Sequence, residues 1–180
     1  LADGAPPERR VDMGRVDDTW FLNVAGFGFD VACNHAAERL RPMPGAPRYV
    51  AAALAELFRY RGLPIGVGAG APTRHLLAVF ANGAYFGGAF HIAPGARIDD
   101  AALDAVFVDD VPPLARLPLL ARAIRGTHLA SPHCRHQRTN RVTLTFTEPP
   151  WFEADGELRR AHAATVEVAS VPGALRIVDA

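Results

Sequence analysis

Cysteine is scarce in this chain: 180 residues contain two, Cys33 and Cys134, far apart in sequence. One bridge would be a poor framework for a chain of this size, so both are read as reduced thiols of a cytoplasmic protein. An excess of charge is also missing, because 19 basic side chains face 19 acidic ones. Whole-molecule attraction to a polyanion is thereby removed, and nucleic acid is not an expected partner. No run reaches the roughly 18 apolar residues of a membrane span. There is no internal repeat and no low-complexity tract, and no serine sits in a nucleophile-elbow pattern. The chain does not start on methionine, and its opening, LADGAPPERR, is polar and proline-rich. The expectation is one domain, residues 1–180, that is part of a longer protein.

Hydrophobic residues are plentiful at 49%, enough for a sizeable core. The densest concentration of special backbone positions runs from Asn82 to Asp104. It lies between two apolar runs, His75–Ala81 and Leu103–Val108, and so reads as a long connection between two strands. Gly83, Gly87 and Gly88 permit angles and close approaches that a Cβ forbids. Pro94-Gly95 then sets a turn just before Asp99 and Asp100.

Around this stretch, periodicity predicts a hairpin over Val11–Gly26, with its turn at Val16-Asp17-Asp18, an apolar strand over Trp20–Ala25, and an interruption at Gly26-Phe27-Gly28. Asp30 is the expected N-cap of a helix over Val31–Leu40 that stops at Arg41-Pro42-Met43-Pro44-Gly45. Arg48–Tyr60 is the clearest helix, with Val50, Leu54, Leu57 and Phe58 on one stripe packed on a sheet. Strands are expected at Ile65–Ala69 and Leu76–Ala81. A further helix, Leu114–Ile124, should bury Leu117, Leu120, Ala121 and Ile124 and leave Arg116, Arg122 and Arg125 solvated. Strict alternation marks Val142–Thr147, a hairpin end lies at Phe152–Glu157 around Asp155-Gly156, and Val166–Val168 and Ala174–Val178 read as two strands parted by Pro172-Gly173. The expected fold class is α+β, mostly antiparallel, as a two-sheet β-sandwich-like domain with two helices.

The motifs Asn-Gly-x-Tyr-x-Gly-Gly, Ala-Pro-x-Ala and Asp-x-x-Leu-Asp within residues 82–104 resemble the second, C-terminal domain of bacterial diacylglycerol kinase and related lipid kinases. Val11-Asp12-Met13-Gly14, Phe21 to Asp30, and Asp155-Gly156-Glu157 fit the same pattern in the same order, so the resemblance runs from about Val11 to Ile177. It implies an NAD kinase/diacylglycerol kinase-like fold and ATP-dependent phosphorylation of a lipid hydroxyl at the membrane surface. The nucleotide-binding first domain, with its Gly-Gly-Asp-Gly-Thr loop, is absent from this chain, and the fragment alone is expected to be inactive. By the same resemblance Glu157 is the general base, and Mg²⁺ is held by Asp100 with the backbone carbonyls of Arg97 and Ala102. ATP is the co-substrate, a peripheral position at the inner membrane face follows, and a homodimer is left open.

One departure from the family pattern is Ala101, where glycine usually follows the aspartate. A positive φ there would strain alanine, and Asp99 could replace Asp100 by a one-residue slip. Two other readings stay open: a non-catalytic lipid-binding or interaction module, and a kinase of a soluble substrate related to NAD kinase. His128, His133, Cys134 and His136 could each ligate zinc, but their spacing matches no paired-ligand template.

Overall fold

The computed structural model describes residues 8–40, 45–87 and 90–178. The expectations for residues 41–44, for Gly88 and for the side chain of Val50 lie outside the described residues.

Strand β1, Glu8–Val16, turns at Asp17 into the short β2, Thr19–Phe21. The expected strand Trp20–Ala25 is then cut at Leu22-Asn23, and β3, Val24–Gly28, leaves in a different pairing. Gly26-Phe27-Gly28 does not interrupt this strand; it completes it. The cut has a physical cause. The N–H groups of Leu22, Asn23 and Val24 all donate to the Asp155 carboxylate, at 2.6, 2.9 and 3.0 Å, so they are withdrawn from any ladder.

Helix α1, Phe29–Arg39, starts two residues earlier than expected. Its N-cap is Gly28, and Asp30 lies inside the first turn, buried and without a capping bond. Helix α2, Gly45–Arg59, leads to β4, Leu63–Val67, and β5, Thr73–Ala81. Residues 82–102 then cross to β6, Leu103–Asp109, which lies antiparallel beside β5. Helix α3, Pro113–Ile124, precedes β7, Cys134–Thr139, and β8, Arg141–Thr145. The hairpin β9, Trp151–Ala154, and β10, Glu157–Arg160, turns at Asp155-Gly156 as its sequence requires.

The last strand, β11, Thr165–Val178, is one element and not two. Pro172-Gly173 makes a bulge within it, because the register to β1 slips between Val11 and Met13 and the Gly173 N–H donates to Asp12 Oδ1 at 2.8 Å.

All strand pairs are antiparallel and form two sheets that share β4. Leu63, Pro64 and Ile65 pair with β5, whereas Gly66 and Val67 pair with β8. The sheets close on one apolar core, where Phe27, Phe80 and Phe152 meet Leu144, Val166 and Val168. Phe27 lies 6.2 Å edge-on from Phe80 and 5.6 Å from Phe152, ring centre to ring centre. Alternation decides the rest: Val79 and Ala81 point away from Ala78 and Phe80 and are covered by Ile92 and Ala93 of the 82–102 connection. The architecture is thus the expected mostly antiparallel β-sandwich-like domain, with three α-helices among the described residues, one for each helical segment read individually and one more than the two of the expected fold class.

Two helix faces differ from expectation. In α3 the buried side chains are Arg116, Leu119 and Ala123, while Leu117 and Ile124 are exposed. Arg116 is drawn inward because every face of its guanidinium finds an acceptor. It donates to the carbonyls of Val111 (3.0 Å), Leu57 (2.7 Å) and Tyr60 (3.0 Å) and to Asp110 Oδ1 (2.9 Å). In α2, Leu57 is buried but Leu54 and Phe58 are about half exposed. The expected stripe is therefore only partly packed on the body of the domain.

Candidate functional site

Asp12 occupies the slip in β1 and is 4% exposed. Its Oδ2 accepts the Ala101 N–H at 2.6 Å, its Oδ1 accepts the Gly173 N–H, and its own N–H donates to the Ile98 carbonyl at 2.7 Å. One side chain thus fixes both the loop carrying Asp100 and the bulge of β11. Asn82, fully buried, extends the connection by donating from Nδ2 to the carbonyls of Asp12 (2.9 Å) and Leu22 (2.8 Å). Leu22 in turn donates to Asp155, the first residue of the turn before Glu157. An unbroken hydrogen-bonded path therefore runs from the 97–102 loop through Asp12, Asn82 and Leu22 to Asp155. Gly83 is required beside it, since a Cβ there would lie 2.2 Å from Asn23 Oδ1.

Asp100 has a mostly covered side chain. Its Oδ1 accepts the Ala102 N–H at 3.2 Å and its Oδ2 accepts the guanidinium of Arg138. Asp99 is turned to Arg97, whose Nε donates to it at 3.3 Å. Ala101 has φ of +61°, so the left-handed conformation suspected at this position is the one adopted. As a cation site the loop offers one carboxylate and backbone carbonyls, a donor set that suits Mg²⁺ with water and phosphate completing its shell. Arg138 occupies one carboxylate oxygen and would have to release it. No cluster of three or more His, Cys, Asp or Glu side chains able to hold a metal occurs among the described residues. Three of the four zinc candidates are otherwise engaged: His128 Nε2 bonds the Ile92 carbonyl, His136 bonds Asp104, and Cys134 is packed in an apolar cluster.

Glu157 begins β10 with its side chain largely in solvent, paired with Arg159 two residues on. Asp100 and Glu157 therefore each hold an arginine of their own, and the path through Asp12, Asn82 and Asp155 is what ties their two loops together.

Two carboxyls that the sequence did not single out for chemistry lie beneath the Glu157 turn. Asp30 and Glu153 are each 2% exposed. Gly26 pairs with Glu153 across β3 and β9, and a Cβ on Gly26 would lie 2.0 Å from Asp30 Oδ2, so the missing side chain is the space Asp30 fills. Burial, followed by the charge of Glu153, pushes Asp30 up to about 8. Burial also raises Glu153, to about 6, while the Gly156 N–H on its Oε1 opposes the rise. The available signal was a glutamate placed two residues before a turn in a strand buried along most of its length, Trp151–Ala154.

Two hollows adjoin this pair. A cleft of about 240 Å³ is lined by Asn34, Phe86, Gly87, Glu153 and Gly156. A cavity of about 230 Å³ has a nearly wholly apolar wall that includes Cys33, Leu54, Leu57, Phe86 and Phe90, with Asp30 at one side. Phe86 belongs to both.

A family profile described as the YegS C-terminal NAD kinase beta sandwich-like domain matches residues 23–179. Diacylglycerol kinase of Mycobacterium tuberculosis is 32% identical over 179 residues, covering 93% of this chain and 56% of the relative. A probable lipid kinase YegS-like protein of Pseudomonas fluorescens is 36% identical over 103 residues, 54% of this chain and 34% of that protein. The crystal structure of a putative diacylglycerol kinase from Bacillus anthracis superposes with a TM-score of 0.70 at 16% identity, over 97% of this chain and 57% of the other. The chain thus spans little more than half the length of the Mycobacterium tuberculosis and Bacillus anthracis relatives. With two thirds or more of its residues matched by both profile and relative, the chain belongs to the YegS C-terminal family of NAD kinase β-sandwich-like domains.

Proposed function

We propose that this domain forms the lipid-side half of an ATP-dependent lipid kinase, the reading suggested by the names of its relatives. The observation that supports it best is the hydrogen-bonded path from Asp100's loop to Glu157's turn. Phosphoryl transfer needs charge neutralisation and a base held in fixed relation, and that path is a means of holding them. The apolar cavity beside the site is smaller than a typical small-molecule pocket of about 300–1,000 Å³ and suits the end of one acyl chain.

In this mechanism the lipid hydroxyl enters near the Asp155-Gly156 turn. Glu157, released from Arg159, accepts its proton as the oxygen attacks the γ-phosphorus of ATP and the bond to the ADP oxygen breaks. Asp100 with the carbonyls of Arg97 and Ala102 would hold Mg²⁺, which supplies charge neutralisation at the phosphates. Most nucleotide contacts come from a further domain of the whole protein. The substrate would be drawn from a membrane surface; no helix among the described residues is long and apolar enough to cross one.

The test is phosphate transfer from ATP to a short-chain diacylglycerol by the full-length protein and its Glu157→Gln variant. Loss of a general base lowers kcat by roughly 10² to 10⁴. Undiminished turnover in the variant removes Glu157 from the mechanism. NAD as the preferred acceptor would move the protein to the soluble-substrate reading, and lipid binding without ATP turnover to the non-catalytic one.

A further inference from the structure

Glu153 and Asp30 are the deepest carboxyls near the turn, and neither is used by the mechanism above. Three geometric facts bear on them. Glu153 Oε1 accepts the N–H of Gly156, the residue directly before Glu157. Glu153 Oε2 and both oxygens of Asp30 are buried with no donor from the rest of the chain. Gly26, the cross-strand partner of Glu153, leaves the gap into which the Asp30 carboxyl is laid. Two carboxylates this buried, set about Gly26 and near enough that the charge of Glu153 raises Asp30, cannot both carry charge without cost, whereas a single proton between them satisfies an oxygen of each.

We propose that Asp30 and Glu153 share one proton and act together as positioning residues for Glu157, with Asp30 donating to Glu153 and Glu153 fixing the Gly156 turn. This role rests on the reading of Glu157 as the base. The Gly156 N–H on Glu153 Oε1 favours the charged form of Glu153, which places the shared proton on Asp30. Other groups that face the pair are few. Cys33 comes from α1 and Tyr60 from the end of α2, and burial raises both so that they are neutral at physiological pH. Asp155 adds a like charge on the Glu153 side.

The pH consequence has a definite sign. Asp30 has a folded value near 8 against an ordinary 3.8, so the folded chain keeps a proton that the unfolded chain gives up. Stability from this group is complete below about pH 4 and is lost as pH rises to about 8. Above that, two buried charges repel, Glu153 is pushed off Gly156, and the turn loosens.

Asp30→Asn separates this from a purely packing role. Its amide donates to Glu153 at every pH and cannot lose that proton. In the full-length protein, the melting temperature of Asp30→Asn should fall less between pH 6 and 9 than that of the wild type. Its kcat should stay within about twofold from pH 7 to 9, where the wild type declines. Asp30→Ala should lower kcat at least tenfold with the KM for ATP unchanged. Identical melting-temperature slopes in wild type and Asp30→Asn, or wild-type kcat in Asp30→Ala, overturn the proposal. A separate Glu157→Gln measurement tells the two failures apart, since full activity there sinks the base while the melting profile still reports the shared proton.

Discussion

At the scale of single residues, the site is built from side chains that hold backbone. Asp155 spends its carboxylate on three successive N–H groups, Asp12 on two distant loops, and Asn82 on two carbonyls. Ala101 and Asp155 both sit in the left-handed region, but alanine lacks the short polar side chain that tolerates it. A side chain in the left-handed region costs roughly 1–2 kcal/mol, and glycine offsets part of this through about 0.5–1 kcal/mol of extra chain entropy. Ala101→Gly should therefore stabilise the protein by up to about 1 kcal/mol. Urea unfolding of the two proteins checks this through a higher midpoint at unchanged slope.

At the scale of elements, legibility in the sequence followed the range of the forces. Helix α2, the β5 and β6 pair, and the β9–β10 hairpin were readable because local periodicity and the Asp155-Gly156 turn specify them. The cut at Leu22-Asn23 and the merger of Val166–Val168 with Ala174–Val178 were not, since each is imposed by a carboxylate more than 130 residues away. The inward face of α3 was misread for a related reason. An arginine was assigned to solvent by its charge, yet the carbonyls ending α2 and Asp110 form a socket for it. Of the site, Asp100 and Glu157 were marked through family resemblance, while Asp30 was taken for a cap and Glu153 passed unnoticed. Emptying the socket exposes its cost: Arg116→Met leaves Asp110 and three carbonyls without their donor and should destabilise by about 3–5 kcal/mol. Arg116→Lys should recover little, as one ammonium cannot reach four acceptors. Chemical denaturation of the three proteins measures both.

At the scale of the whole molecule, the hydrogen-bonded path makes one claim that no single contact makes. If Asp12 is the common anchor, its loss must be felt at the 98–101 loop and in the middle of β11 together, and more weakly around Leu22 through Asn82. Amide hydrogen exchange of Asp12→Ala should show faster exchange at Ala101 and Gly173 by at least tenfold, with β8 and the Phe27 core unchanged. Acceleration confined to one of the two amides would mean that the loops are held independently.

Strand β4 carries a mechanical consequence. Because it changes partner halfway along, from β5 to β8, it stitches one corner of the sandwich shut. Neither sheet can shear past the other without tearing both ladders within a span of five residues. A domain sewn in this way swings as a stiff plate and does not flex. In the proposed kinase, a jaw closing over phosphate donor and acceptor would therefore pivot beyond these sheets.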